Sequence, residues 1–586
     1  MDMIKVFIDG KEYSVEKGAT ILEACKSVGI EIPTLCYLKE INEIGACRMC
    51  VCEVKGARSL VAACVYPIDR EGTEIFTHSP AVLESRKKNL ELLLSVHDKK
   101  CLSCVKSGEC EFQKLCNDYG VEDEHKYEGT VIRYEKDTSM PHLIRDDNKC
   151  VLCRRCVAVC SANQAVGVIG ANERGFKTHI GCAFELKLDE VACVACGQCI
   201  TVCPTGALTE VDDTDKVWAA INDPSKHVIV HTAPSVRVTL GECFGNPIGS
   251  IVTGKMVAAL KRLGFDGVYD TNVSADLTIM EEANEMIERV KNGGKLPIIT
   301  SCSPGWVKFC EHYYPDMIDN LSSCKSPQQM FGAVTKTWYA EKKGLDPKDI
   351  FVVSVMPCTA KKFEIGRDDQ AASGYPDTDV SITTRELARM IKRAGINFNE
   401  LPDEEFDAPF GLGTGAGTIF GATGGVMEAA LRTAVETLTG KEAPSLDFME
   451  VRGTEGVKEA EYDVAGLKVK VAVASGLTNA RKVLDMVRSG EKDYTFIEIM
   501  CCPGGCVNGG GQPFQPASVR NFVDLKALRA AGLYQDDKNL PLRKSHENPF
   551  IKMIYDEYFG KPGSHKAHEI LHTSYVTRSK VDVKNP

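Results

Sequence analysis

The chain has 586 residues, a formal net charge of −11 and 27 cysteines. That length allows three or four domains with their own cores, the acidic balance speaks against a nucleic-acid or anionic-membrane partner, and so many thiols in so long a chain exclude the small secreted disulfide class. No apolar run approaches the roughly 18–20 residues of a membrane span, and the charged, alternating N-terminus shows no signal-peptide core, so a cytoplasmic protein whose reduced thiols bind metal is expected.

The first element is a hairpin, "IKVFIDGKEYSV", with Asp9-Gly10 as its turn. A short helix, "ATILEACKSVG", ends at Gly29. Cys36, Cys47, Cys50 and Cys64 follow, where a ferredoxin-like [2Fe–2S] domain places its loop, although the spacing is not the plant-type one. Cys52 is a near miss and reads as a packed thiol. A helix is expected over 79–96, and "HDKKCLSCVKSGEC" then offers His97, Cys101, Cys104 and Cys110. Three cysteines leave a cubane one ligand short. An imidazole can complete it, with Cys116 as the competing choice. The polar stretch "DYGVEDEHKYEGTV" reads as a linker.

Cys150, Cys153, Cys156 and Cys160 follow C-x2-C-x2-C-x3-C, and Cys193, Cys196, Cys199 and Cys203 repeat it, ending in Cys203-Pro204. In this two-cluster ferredoxin spacing the fourth cysteine of each run ligates the other cluster. Cys150, Cys153, Cys156 and Cys203 therefore go to one [4Fe–4S] cluster, and Cys193, Cys196, Cys199 and Cys160 to the other. Zinc is the bland alternative, and the repeated spacing argues against it.

After about residue 210 strands and helices alternate, which predicts α/β structure with largely parallel sheets. Three predicted strands run straight into cysteine, in "LPIITSC", "FVVSVMPC" and "YTFIEIMCC". Ligands sit beyond the carboxyl ends of such strands, so Cys302, Cys358, Cys501, Cys502 and Cys506 are candidates to converge. The loop "GLGTGAGTIFGATGG" does not follow G-x-G-x-x-G, and no Walker A motif is present. Cys25, Cys52, Cys116, Cys182, Cys243, Cys310 and Cys324 belong to no motif and read as core or surface thiols.

The segments "PIITSCSPGW", "VMPCTAKKFE" and "FIEIMCCPGGCVNGGGQP", with the C-terminal "SHENPFIKMIYDEYFGKPGSHKAHEILH", resemble [FeFe]-hydrogenases over nearly the whole chain. The resemblance implies an H-cluster, a [4Fe–4S] cubane joined through one cysteine to a two-iron unit carrying CO, cyanide and an azadithiolate bridge. It implies Cys358, Cys502 and Cys506 as cubane ligands, Cys506 bridging. Lys361 matches the lysine that hydrogen-bonds a cyanide, against the bland reading of a surface lysine beside Lys362. Ser235 and Gln328 match positions contacting the diatomic ligands, and Met356 and Met500 the apolar wall. Glu282 and Glu285, one turn apart on a predicted helix, match a proton relay with Ser322. From composition alone these glutamates would be a solvated face. The glycines of the third segment are expected to let backbone approach the cofactor.

The chain departs from the family in two of these segments. The first segment usually carries two adjacent cysteines, a proton-passing one and a cubane ligand, whereas here Cys302 is followed by Ser303. The third segment gains Cys501 where alanine is usual. An ungapped alignment puts Cys302 at the relay position and Ser303 at the ligand position; thiolate being the ordinary ligand, Cys302 is instead expected as the fourth ligand and Cys501 as the substitute relay.

The expectation is a multidomain protein. An N-terminal β-grasp ferredoxin-like [2Fe–2S] domain spans 1–78, a His/Cys3 [4Fe–4S] domain 79–140 and a two-[4Fe–4S] ferredoxin domain 141–212. An α/β catalytic H-cluster domain with a small-subunit-like C-terminal segment spans 213–586. Its cofactors would be the H-cluster, three accessory [4Fe–4S] clusters and one [2Fe–2S] cluster, and its reaction the reversible oxidation of H2 to protons and electrons. "CRMCVCEVKGARSLVAAC" is similar to the electron-wire subunit of respiratory complex I. That implies a flavin/NAD-binding partner subunit, a small [2Fe–2S] subunit and ferredoxin, as in electron-bifurcating hydrogenases. The alternatives are a non-catalytic hydrogen sensor, an iron–sulfur assembly relative of the same fold, or a pure electron-transfer subunit.

Overall fold

The computed structural model describes residues 2–127, 129–442, 445–464 and 467–583. Glu128, within the expected linker, lies outside them.

The N-terminal sheet runs Lys11–Glu16, Met3–Ile8, Glu74–Phe76, Val51–Val54, Val61–Ala62. The first two strands form the expected hairpin, and Asp9 and Gly10 take positive φ of 51° and 82°, as a tight two-residue turn requires. The helix Ile21–Ser27 covers this sheet, with Ile21, Leu22, Ala24 and Cys25 buried. Thr20 and Glu23 close a capping box at its start. The expected helix follows at Pro80–Val96, where Ser79 Oγ accepts from Val82 N at 3.4 Å. His97 is its C-cap.

The paired cysteine runs fold alike. Leu152 and Arg154 take positive φ of 52° and 61°, and the equivalent Ala195 and Gly197 take 63° and 68°. Left-handed backbone costs non-glycine residues about 1–2 kcal/mol each, so surrounding structure must hold these turns. Each turn leads into a helix, Arg155–Ala162 and Gln198–Val202, and the two helices pack on each other.

The C-terminal half holds two four-stranded sheets. The first runs Gly267–Asp270, His227–Thr232, Ile350–Met356, Val380–Thr383, all parallel. The second runs Ile298–Ile299, Phe496–Met500, Leu467–Ser475, Val457–Val464, with only the last antiparallel. All the strands expected from buried apolar runs are among them. Between the sheets in sequence lies the helix Thr271–Asn292, started by Asp270 and ended at Gly293 (φ 69°). Its Glu281 and Glu282 are buried, which removes the solvated-face reading for this part of the helix. The C-terminal segment packs on the same half. Phe550, Ile551 and Ile554 join a core with Phe331, Trp338 and Phe410, and Arg529 pairs with Glu242 at 2.7 Å. Among the described residues no helix is long and apolar enough to cross a membrane.

Candidate metal centres

The four N-terminal thiols form one constellation. Cys36 is hydrogen-bonded to Cys47 and Cys50 to Cys64, and Cys64 feels the charges of all three others. Cys52 instead packs beside Cys25, with Arg86 Nη2 at 3.9 Å from its sulfur. His97 is buried, and desolvation lowers its pKa to about 4. It is therefore a neutral imidazole at pH 7, the form that ligates metal, and its Nδ1 has no hydrogen-bond partner. The ring stands edge-on to Phe112 at 5.1 Å. Cys116 is close enough to feel the charges of Cys110 and Cys101, so placement alone leaves both candidates beside this site.

The crossed arrangement of the ferredoxin runs is present in space. Cys150, Cys153, Cys156 and Cys203 line one small cavity. Cys160 lies with Cys193, Cys196 and Cys199; burial first, and then the charges of these neighbours, raise the pKa of Cys160 and Cys199.

The strand-end cysteines converge on a cavity between the two sheets. Cys358 comes from the first sheet, and Cys302, Cys501, Cys502 and Cys506 from the second. Ser235, Gln328, Met356, Met500 and Lys361 line the same cavity. Lys361 is no surface lysine: it is 8 % exposed, and Lys362 beside it is buried against Asp213 and Glu386. Lys361 Nζ donates to Cys302 O at 3.2 Å and to Glu364 Oε2 at 2.8 Å. An ammonium has three donors, so one remains for a group in the cavity.

Burial above all, and then the Glu285 charge, raise the Glu282 pKa to about 8. Neither carboxyl oxygen of Glu282 has a hydrogen-bond partner. Ser322 Oγ, close by, donates instead to Glu285 Oε2 at 2.8 Å, and Glu285 reaches Arg289 at 2.6 Å. Cys302 lies in the field of Glu282, Lys361 and Cys506, whereas the Cys501 thiol lies beside Cys196 and Cys502. This placement runs against the expected division of labour, in which Cys302 ligates and Cys501 relays.

The glycines serve a different end from the one expected. Gly505 and Gly509 do line the cavity. A Cβ at Gly509, however, would lie 2.2 Å from Pro357 O, and one at Gly510 would lie 2.3 Å from Cys196 O. The third segment is thus pressed onto neighbouring backbone, that of the second cysteine segment and that of the ferredoxin loop. Thr359 Oγ1 adds a bond to Ala195 O at 2.8 Å.

Sequence reasoning missed three positioning residues. Glu364 accepts from Lys361, Ser326 and Gln328, and its spacing of three from Lys361 on a helix was the available signal. Gln512 spans Ser235 Oγ and Cys506 O, at 3.3 and 3.1 Å. Gln164, from the ferredoxin region, reaches Cys501 Sγ at 3.9 Å, and no sequence pattern marked it. The loop "GLGTGAGTIFGATGG" is packed against chain: added Cβ atoms at Gly413 and Gly417 would strike Asn272, and at Gly424 the Val451 carbonyl.

The residues fit an iron–sulfur cubane joined to a polar two-iron unit. Three mutually interacting thiols, a spare ammonium donor and an unpartnered buried carboxyl beside the cavity are what such a group would use.

Residues 1–80 match the 2Fe-2S iron-sulfur cluster binding domain, 86–125 the NADH-ubiquinone oxidoreductase-G iron-sulfur binding region and 149–207 the 4Fe-4S dicluster domain. Residues 226–510 match the iron only hydrogenase large subunit, C-terminal domain, and 523–578 the iron hydrogenase small subunit. The chain is 49% identical to the NADP-reducing hydrogenase subunit HndD of Solidesulfovibrio fructosivorans, over 99% of this chain and 100% of that one. It is 46% identical to iron hydrogenase 1 of Clostridium pasteurianum, over 98% and 100%. A solved structure of a variant of apo [FeFe]-hydrogenase HydA1 from Chlamydomonas reinhardtii is similar at a TM-score of 0.56 and 43% identity, covering 63% of this chain and 100% of that chain.

Proposed function

The chain belongs to the iron-only hydrogenase family, and from that premise we propose that it is the catalytic subunit of a multimeric, NAD(P)-linked [FeFe]-hydrogenase. It interconverts H2 with protons and electrons. The observation that carries this reading is the meeting of Cys358, Cys502, Cys506 and Lys361 around one cavity, beside the unpartnered carboxyl of Glu282.

The H-cluster, when bound, supplies the redox chemistry of H2. Cys358, Cys502 and Cys506 would hold its cubane. Lys361, fixed by Glu364, offers its remaining N–H to a cyanide. Met356 and Met500 would keep water out, and Ser235 and Gln328 would face the diatomic ligands. Glu282, protonated near neutral pH, holds a proton at its carboxyl beside Cys302. Ser322 and Glu285 continue the path toward Arg289.

Electrons would travel over one [2Fe–2S] and three [4Fe–4S] clusters, held by the residues named above, within a β-grasp domain (1–78), a His/Cys3 domain (79–140) and a two-cluster ferredoxin domain (141–212). The catalytic domain with its C-terminal segment would occupy 213–586. The 49%-identical relative is named an NADP-reducing hydrogenase subunit. That name and the complex-I-like 86–125 match support docking to a flavin/NAD subunit and a small [2Fe–2S] subunit, with ferredoxin as a second acceptor. A non-catalytic sensor or assembly factor has no use for a buried relay carboxyl.

The test is maturation with the azadithiolate-bridged two-iron unit. The loaded protein is expected to evolve H2 from a reduced low-potential donor and to show CO and cyanide infrared bands. Absence of both after verified loading would contradict the reading.

A further inference from the structure

The cubane has three cysteines from the family pattern and needs a fourth donor, and this chain puts serine where the family usually has it. Two thiols border the cavity without a fixed role, Cys302 and Cys501. Their surroundings differ. Cys302 is placed among Glu282, Lys361, Cys506 and Glu498, and its carbonyl accepts from Lys361. Cys501 is placed beside Cys502 and beside Cys196 of the ferredoxin loop.

The space around Cys501 is built for a sulfur. A Cβ at Gly305, in the first turn of the helix Pro304–Tyr313, would lie 2.7 Å from Cys501 Sγ and 3.3 Å from its Cβ, so only glycine leaves this thiol room. Ser303 Oγ accepts the Cys501 backbone N–H at 3.2 Å, and Gln164 Nε2 points at the thiol from 3.9 Å. The neighbouring ferredoxin site does not need Cys501, since Cys160, Cys193, Cys196 and Cys199 already complete it. The cavity's own set of Cys358, Cys502 and Cys506 is the one left short.

We infer that Cys501 supplies the fourth thiolate of the H-cluster cubane, so that the ligand has moved from the first segment to the third, and that Cys302 stays unligated as the proton-passing thiol. The inference rests on the hydrogenase reading and deepens it. Cys501 gives up its thiol proton when the cubane is inserted, and Ser303 keeps its hydroxyl. Because Cys501 also touches Cys196, the same sulfur closes the gap between the wire and the active cubane.

The test needs no hydrogenase activity. The full chain is produced without the two-iron unit, its iron and sulfide are counted, and the reduced cubane is read by electron paramagnetic resonance. Cys501→Ala is expected to lose one cubane's worth of iron and the corresponding signal, while Cys302→Ala and Ser303→Ala keep both. The double variant Ser303→Cys/Cys501→Ala restores the family arrangement and should regain the cubane, which separates lost ligation from lost folding. Retention of the cubane in Cys501→Ala would overturn the inference, as would its loss in Cys302→Ala or no recovery in the double variant. A wild-type chain that never holds this cubane would overturn both the inference and the hydrogenase reading.

Discussion

Glu282 shows how burial lets an ordinary carboxyl keep its proton near neutral pH. Its pKa is raised from 4.5 to about 8, first by desolvation and then by Glu285. Between those values the folded chain holds a proton that the unfolded chain releases, so stability falls as pH rises through this window. The slope from this one group is up to about 1.4 kcal/mol per pH unit. Glu282→Gln, neutral at every pH, should therefore unfold at a higher temperature than wild type at pH 8 and show little difference near pH 4.5. A melting-temperature series across that range checks it. The same variant should slow H2 evolution by roughly 10²-fold or more, because an amide cannot pass the proton on. His97 makes a second residue-scale case. His97→Ala should change the spectrum of its own cubane and leave the other clusters' signals as they are. An unchanged spectrum would hand the fourth ligand to Cys116.

At the scale of elements, the third cysteine segment is a clamp between backbones. Gly510 touches the ferredoxin loop with no side chain in between, so Gly510→Ala must push carbonyl and Cα atoms apart. Overpacking of this kind costs about 1–3 kcal/mol. We expect a lower melting temperature and slower electron delivery from a donor that enters through the accessory clusters, measured against a small dye that bypasses them. Equal rates with both donors would mean that the contact plays no part in electron transfer. The elements themselves were largely readable from sequence. Short spacings between cysteines leave few geometries other than cluster loops, and the buried apolar runs ending in cysteine emerged as parallel strands with their thiols at one cavity. What sequence hid was set by tertiary contact. Nothing in "TIMEEANEMIERV" says that Glu282 lies under the second sheet, and alternation alone does not divide the strands between two sheets. The roles proposed for Cys302 and Cys501 could not be read from an ungapped comparison, because neighbours such as Gln164 and Gly305 come from other parts of the chain.

Across the whole molecule the chain reads as a wire with a reaction chamber at one end, the N-terminal [2Fe–2S] domain being furthest along in sequence from the catalytic sheets. Cys36→Ser should cut H2 turnover with the flavin partner proposed above strongly while sparing turnover with small dyes, which can donate nearer the H-cluster. Equal losses would argue against the N-terminal cluster as the point of electron exchange. The central claim is that the cavity between the two sheets cleaves H2 and hands its protons to solvent through Cys302 and Glu282. The most direct measurement is isotope exchange followed by mass spectrometry, with D2 over the fully matured chain in ordinary water and no electron acceptor. The account predicts steady release of HD and H2 by wild type, and its near loss in Glu282→Gln with the CO and cyanide infrared bands intact. A matured chain that carries those bands and yields no HD would contradict it.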